Sequence, residues 1–300
     1  MRIAGQALAI LLLLAAFAGA AEAPYRLAPY KDELFAYPNI LKNEYDGALL
    51  TVEYNRLRDL YDRDQGDRVD PKYVSLATKK VEADLVLDAG SMQVKHIAVG
   101  MKDGGAKAIV AFIHGRGTNR FSGANDWIHG GNFNRIKNLM MLNEGLYLSP
   151  DFSDYGEMGT NQVKALLIHH VVLSPDAKLF LACGSWGGRI CWRLAKDPGF
   201  APLITGLMLF DSDMDPAFLA AAKTLEPEQR MPIHISNSMG DKIIGWRGQL
   251  KFFKEMKAAM PDYPIRFVLF SAGSHGISLR MTDWRLAINW MLSVRDGLPE

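Results

Sequence analysis

The sequence predicts an α/β domain: a mostly parallel twisted sheet of about eight strands with helices on both faces and an antiparallel hairpin on its N-terminal side. Three observations predict it. Short, wholly apolar runs recur from residue 108 onward, as strands buried on both faces require. Stretches with helical spacing and polar breaks separate them, the alternation that builds parallel sheets. Ahead of them, two segments alternate apolar and polar residues around a Gly-Ser turn.

Taken in order, residues 1–20 stand apart as a signal peptide. Arg2 is the sole early charge, residues 7–21 carry none, and Ala18-Gly19-Ala20 supplies the small residues a signal peptidase needs. The apolar run is shorter than the ~18–20 residues of a membrane span. The expectation is an exported chain, periplasmic or secreted, with no stable membrane insertion after cleavage. Residues 21–80 read as an extension packed on the core, in which 62–70 is a charged surface loop. Residues 81–300 form the main domain. Its hairpin occupies 81–88 and 92–101. Strands are expected at 108–113, 145–148, 179–182, 207–210, 233–236 and 265–270. Helices are expected at 133–142, 162–173, 189–196, 216–224, 249–260 and 282–294, with Asp197-Pro198-Gly199 as a helix stop.

Cys183 ends a strand and Cys191 lies on the helix after it. At about 1.5 Å per helical residue plus a turn, their Cα atoms are expected beyond the ~7 Å a disulfide tolerates. Both read as small buried hydrophobes.

Composition removes several function classes. With 34 basic and 33 acidic residues, the chain lacks the basic excess of a nucleic-acid binder. Two cysteines exclude a disulfide framework and a Cys-rich zinc site. No His-Glu metalloprotease helix, phosphate loop or dinucleotide glycine fingerprint occurs, so neither metal nor cofactor is expected. Adjacent His169 and His170 point about 100° apart on a helix and cannot share a metal there. His234 reads as a core or sheet-face histidine. His129, in Trp127-Ile128-His129-Gly130-Gly131, reads as an exposed loop histidine, with a place in the site as the alternative.

The chemistry concentrates in Lys178-Leu-Phe-Leu-Ala-Cys183-Gly184-Ser185-Trp186-Gly187-Gly188-Arg189. An apolar strand, an abrupt small-residue turn and a helix follow one another, the arrangement that lifts a serine Oγ above a strand end. The helix N-terminus and the Trp186 amide face the point where an oxyanion would develop. A serine nucleophile needs a base and an orienting acid. His275 follows the strand at 265–270, and Asp241 follows the strand at 233–236. In a parallel sheet both loops leave the edge that carries Ser185. Asp211 or Asp213, after the strand at 207–210, is the alternative acid. Those aspartates also serve as helix caps in a purely structural account, with Asp215 before Pro216 as the N-cap.

On the elbow, the Gly240-Asp241 turn, the Ser274-His275-Gly276 turn and His114-Gly115-Arg116-Gly117 after a strand, the chain resembles the α/β-hydrolase family from about residue 81 to its C-terminus. The resemblance implies an oxyanion hole made by the amide of Arg116 or Gly117 with that of Trp186. Arginine at 116 departs from the glycine-rich form of that segment. The implied activity is that of a serine hydrolase of carboxylic esters working through an acyl-enzyme, on a small-molecule substrate. A peptidase or amidase with the same triad, and a catalytically silent hydrolase-fold binding protein, are the alternatives. Arg116 and Arg120 read first as loop surface or as partners of a carboxylate such as Asp126, with recognition of an anionic substrate group as the functional alternative. Residues 211–232 are too few for a cap domain, so short soluble esters are expected.

Overall fold

The computed structural model describes residues 23–298, so the expected signal peptide lies outside the described residues. The sheet is built around β7 (Ala108–Ile113), β8 (Gly145–Pro150), β9 (Lys178–Gly184), β10 (Ile204–Phe210), β11 (Ile233–Ser238) and β12 (Ile265–Phe270). These six are mutually parallel, and the hairpin of β5 (Glu82–Ala89) and β6 (Met92–Gly100) joins antiparallel to β8. The fold class is as the sequence predicts.

The strand count is not. The sheet has ten strands, in the order β1-β2-β12-β11-β10-β9-β7-β8-β6-β5. The two extra strands, β1 (Ile40–Glu44) and β2 (Leu49–Val52), come from the N-terminal extension, and β2 runs parallel to β12. Four residues of β2 and a fully exposed β1 give too short a pattern to be read as strands. The charged loop of the extension holds a small separate hairpin, β3 (Asp64–Gln65) with β4 (Arg68–Val69).

Alternation along each central strand sorts side chains onto two faces. Ile109, Ala111, Ile113, Leu179, Leu181, Cys183, Leu207 and Leu209 pack with α4 (Glu157–Leu173), α5 (Gly187–Lys196) and α7 (Trp246–Ala259). Val110, Phe112, Phe180, Ala182, Met208 and Phe210 point the other way, onto α3 (Asn132–Leu142) and α9 (Trp284–Arg295). Short helices α1 (Asp32–Phe35), α2 (Arg120–Gly123), α6 (Ala217–Ala222) and α8 (Ile277–Met281) sit in the connections. Helix α4 starts ahead of its apolar spacing because Asp154 Oδ1 accepts the Gly156 and Gly159 amides at 2.8 and 2.9 Å. No helix of the described residues is long and apolar enough to cross a membrane.

Two buried cations on α3 fix the surroundings of the sheet edge. Lys137, with its side chain fully buried, reaches Asp126 at 2.7 Å and Glu82 at 2.9 Å, and donates to the Ala124 carbonyl at 2.7 Å. Arg135, equally buried, reaches Asp283 at 2.9 Å and Asp32 at 3.0 Å. The first anchors the loop at 115–131 and the second anchors the extension. Either pair is costly to break singly, since the abandoned charge stays buried.

The expectation for the cysteines is overturned. Cys183 and Cys191 form a disulfide with a Cα–Cα distance of 6.5 Å. The helix does not continue away from the strand; the elbow folds it back, so its first turn lies over the end of β9. Both cysteines are fully buried. For so short a loop the chain-entropy relation gives about 2.5 kcal/mol. Replacing both with alanine should lower unfolding free energy by about that amount in a denaturant titration. The wild-type protein, unfolded without reductant, should show no titratable thiol.

Candidate active site

The elbow exists because its neighbours leave no room for side chains. A Cβ at Gly187 would approach the Ile113 carbonyl oxygen to 2.1 Å, and one at Gly115 would approach Ser185 Cβ to 2.9 Å. The turn drives Ser185 to φ 50°, left-handed and unfavourable for a serine, and its amide donates to the Phe210 carbonyl at 2.9 Å. Such strain is held only by an over-determined surround.

Two further strand ends complete the arrangement. His275 Nδ1 donates to Asp241 Oδ2 at 2.8 Å, and Asp241 Oδ1 accepts the Ile243 and Ile244 amides at 2.7 and 3.1 Å. Burial pushes the Asp241 carboxyl up, but His275 and the two amides outweigh it and hold the group below its ordinary value. His275 is raised above 6.5, first by its hydrogen bond to Asp241 and then by the charges of Asp211 and Asp241, against its partial burial. Ser185 and His275 line one cleft, while Ser185 Oγ has no hydrogen-bond partner among the described residues.

The alternative acids have other partners. Asp213 faces Arg189 Nε at 2.8 Å, and Asp215 Oδ1 accepts the Ala217 amide at 2.9 Å, the helix-cap role. Asp211 is the more informative case. It lines the cleft at φ 45°, and its Oδ2 accepts the Gly276 amide at 2.8 Å. Burial pushes its carboxyl up to about 7. Asp211 therefore holds the loop of His275 from below rather than touching Nδ1. The carboxylates of Asp211 and Asp241 and the His275 ring bring one ligating atom each within 4.8 Å of one another, but a cation there would have to replace the proton between His275 and Asp241.

Above the serine, the Gly115 carbonyl accepts from His114 Nδ1 at 3.0 Å and Thr118 Oγ1 at 2.7 Å, which turns the segment. Among the described residues the amides of Arg116, Gly117 and Trp186 have no hydrogen-bond partner. Of these residues Arg116 lines the cleft with Ser185.

No protein-family model and no curated protein sequence matches the chain. Solved structures do. An esterase from Pyrococcus furiosus superposes with a TM-score of 0.52 at 12% identity, over 73% of this chain and 96% of that one. A suspected alpha/beta hydrolase of Agrobacterium tumefaciens gives 0.55 at 16% identity, over 73% of this chain and all of that one (100%). A thermostable esterase gives 0.55 at 14% identity, over 72% of this chain and 64% of that longer one. The chain has the α/β-hydrolase fold.

Within that fold two expectations change. His129 is not an exposed loop residue: it lines the cleft, edge-on to Phe133 at 5.5 Å between ring centroids. Three successive left-handed residues, His129, Gly130 and Gly131 at φ 47°, 61° and 76°, turn it inward. The glycine pair after the histidine was the signal for that turn. Burial, with the Arg280 charge, lowers its pKa to about 4, so it is neutral at ordinary pH. Asp126 is taken by Lys137 and is no partner of either loop arginine. Arg120 pairs instead with Asp84 at 2.9 Å and Asp151 at 2.5 Å. Phe112, Phe133, Phe210 and Leu279 floor the cleft, whose volume is about 180 Å³.

These environments separate the two cleft histidines. By NMR titration His275 should titrate above 6.5, and Asp241→Asn should bring it down. His129 should stay neutral until pH approaches 4. A His275 that titrated unchanged in Asp241→Asn would sink the assignment of its partner.

Proposed function

We propose that the protein is an exported serine hydrolase of short, water-soluble carboxylic esters. The observation that carries this reading is the His275–Asp241 hydrogen bond in the same cleft as the left-handed Ser185. Ser185 Oγ attacks the acyl carbon as its proton passes to His275 Nε2, and the carbonyl electron pair moves to the oxygen beneath the free amides. Collapse of that oxyanion breaks the bond to the alcohol, which leaves with the proton from His275. Water then repeats the sequence on the acyl-serine, releasing the acid and restoring Ser185. Asp241 keeps the imidazole in the required tautomer.

Two of the similar structures are esterases, which favours esters over amides. The small cleft, with an apolar floor of Phe112, Phe133, Phe210 and Leu279, favours a short acyl group. Between β10 and β11 the described residues hold only α6 and a single turn at Pro227–Gln229, leaving the cleft without a cap. The expected signal peptide and the Cys183–Cys191 disulfide both favour an oxidising compartment.

A fluorophosphonate probe should label Ser185, as read by peptide mass, and Ser185→Ala should abolish labelling and turnover. Rates should peak at acyl chains of about two to four carbons, because each further methylene gains its ~0.8 kcal/mol only when buried. Rates that climb beyond about eight carbons, or faster amide than ester cleavage, would contradict the reading. Asp241→Asn should lower kcat by about four orders of magnitude and Asp211→Asn by much less. Because the base must be neutral, activity should fall as pH drops through the raised pKa of His275. Asp211→Asn removes a negative charge beside the ring, so that limb should move to lower pH.

A further inference from the structure

Of Arg116, Arg120 and Arg189, two are neutralised. Arg120 is held by Asp84 and Asp151, and Arg189 by Asp213. Arg116 differs. It lines the cleft with Ser185 and His275, it is exposed, and among the described residues its side chain has neither an ion pair nor a hydrogen bond. Its guanidinium carbon lies 4.9 Å from the centroid of the Trp186 ring. A guanidinium stacked on an aromatic face keeps its edge of N–H donors free for a planar acceptor.

The indole beneath it is itself fixed. Tyr155 packs edge-on against Trp186 at 5.6 Å, and Phe152 joins Tyr155 to His114 in the same aromatic chain. Arg189 lies 4.1 Å from the Trp186 centroid while tied to Asp213. The free cation thus sits in the segment beside Ser185, on an indole that Tyr155 and Arg189 also pack against.

We propose that Arg116 binds a carboxylate, and that the preferred substrates are short acyl esters whose alcohol half carries that carboxylate. The chemistry rests on the esterase reading above; the recognition does not. An anion cannot sit in the floor of the cleft, which is small and lined by Phe112, Phe133, Phe210 and Leu279, with the buried Asp211 carboxyl beside them. The acyl group takes that floor. The charge belongs at the rim, where the departing alcohol lies and where Arg116 waits. The same reasoning explains why arginine replaces the expected glycine at this position.

The test compares 4-acetoxybenzoate with 4-acetoxybenzamide, which share an acyl group and differ in charge, using the purified full chain at low ionic strength. Wild-type protein should favour the benzoate in kcat/KM, and Arg116→Gln should lower the benzoate-to-benzamide ratio roughly tenfold or more, mainly through KM. Added salt should lower the wild-type ratio in the same direction. Taking the ratio cancels any effect of the substitution on the backbone amide of residue 116. A wild-type ratio near one, or a ratio that survives Arg116→Gln, overturns the proposal. A second arm does not depend on turnover: 4-hydroxybenzoate should bind Ser185→Ala in a calorimetric titration and fail to bind Ser185→Ala/Arg116→Gln. Binding without hydrolysis of either ester would defeat the esterase reading and leave the carboxylate site standing. Hydrolysis of both esters at equal rates would do the reverse.

Discussion

The cleft depends on a backbone approach between two strands' ends. Gly187 and Gly115 lie so close to β7 and to Ser185 that no side chain fits at either position. That closeness forces the serine into its left-handed turn and folds α5 back along β9. It also brings Gly115 against Ser185. The disulfide is a consequence of the same reversal, because a helix folded back over its own strand puts Cys191 beside Cys183. A single methyl group at Gly187 would disturb the Ser185 turn and the cross-link together.

Much of this was legible in the sequence, and the failures share a cause. The buried parallel strands announce themselves because Ala108–Ile113 or Ile204–Phe210 cannot be anything but interior. Ser185, Asp241 and His275 stand at strand ends whose positions follow from those runs. What was lost is what depends on chain reversal. Rise per residue placed Cys191 too far from Cys183 because it ignored the direction in which the helix returns. His129 was read first as an exposed loop residue, with a place in the site as the alternative, because a run of left-handed residues turns an apparently external loop inward. The β1–β2 pair was missed because its stability comes from a partner strand, not from its own pattern.

Charge is distributed with the same economy. Buried cations on α3 are matched by carboxylates, and the loop over the cleft is tied down through Lys137 and Arg120. Against that background of paired groups an uncommitted guanidinium at the mouth stands out by contrast. The cleft's own carboxylates, Asp211 and Asp241, are directed at the backbone and ring of a single loop, so they organise His275 instead of meeting solvent.

The pairing of β2 with β12 carries a consequence for the order of assembly. Leu49 to Val52 are made long before their neighbours in the sheet, Phe267 to Phe270. Through most of elongation the extension has nowhere to dock, and β11 presents an open flank. Only when β12 arrives can His275 reach its position, with β2 closing over the other side of the strand that carries it. Contacts so distant along the chain slow folding and lengthen the exposure of unpaired edges. The turn that carries Ser185 can form before β12 is made; the loop of His275 cannot be placed until β12 has paired.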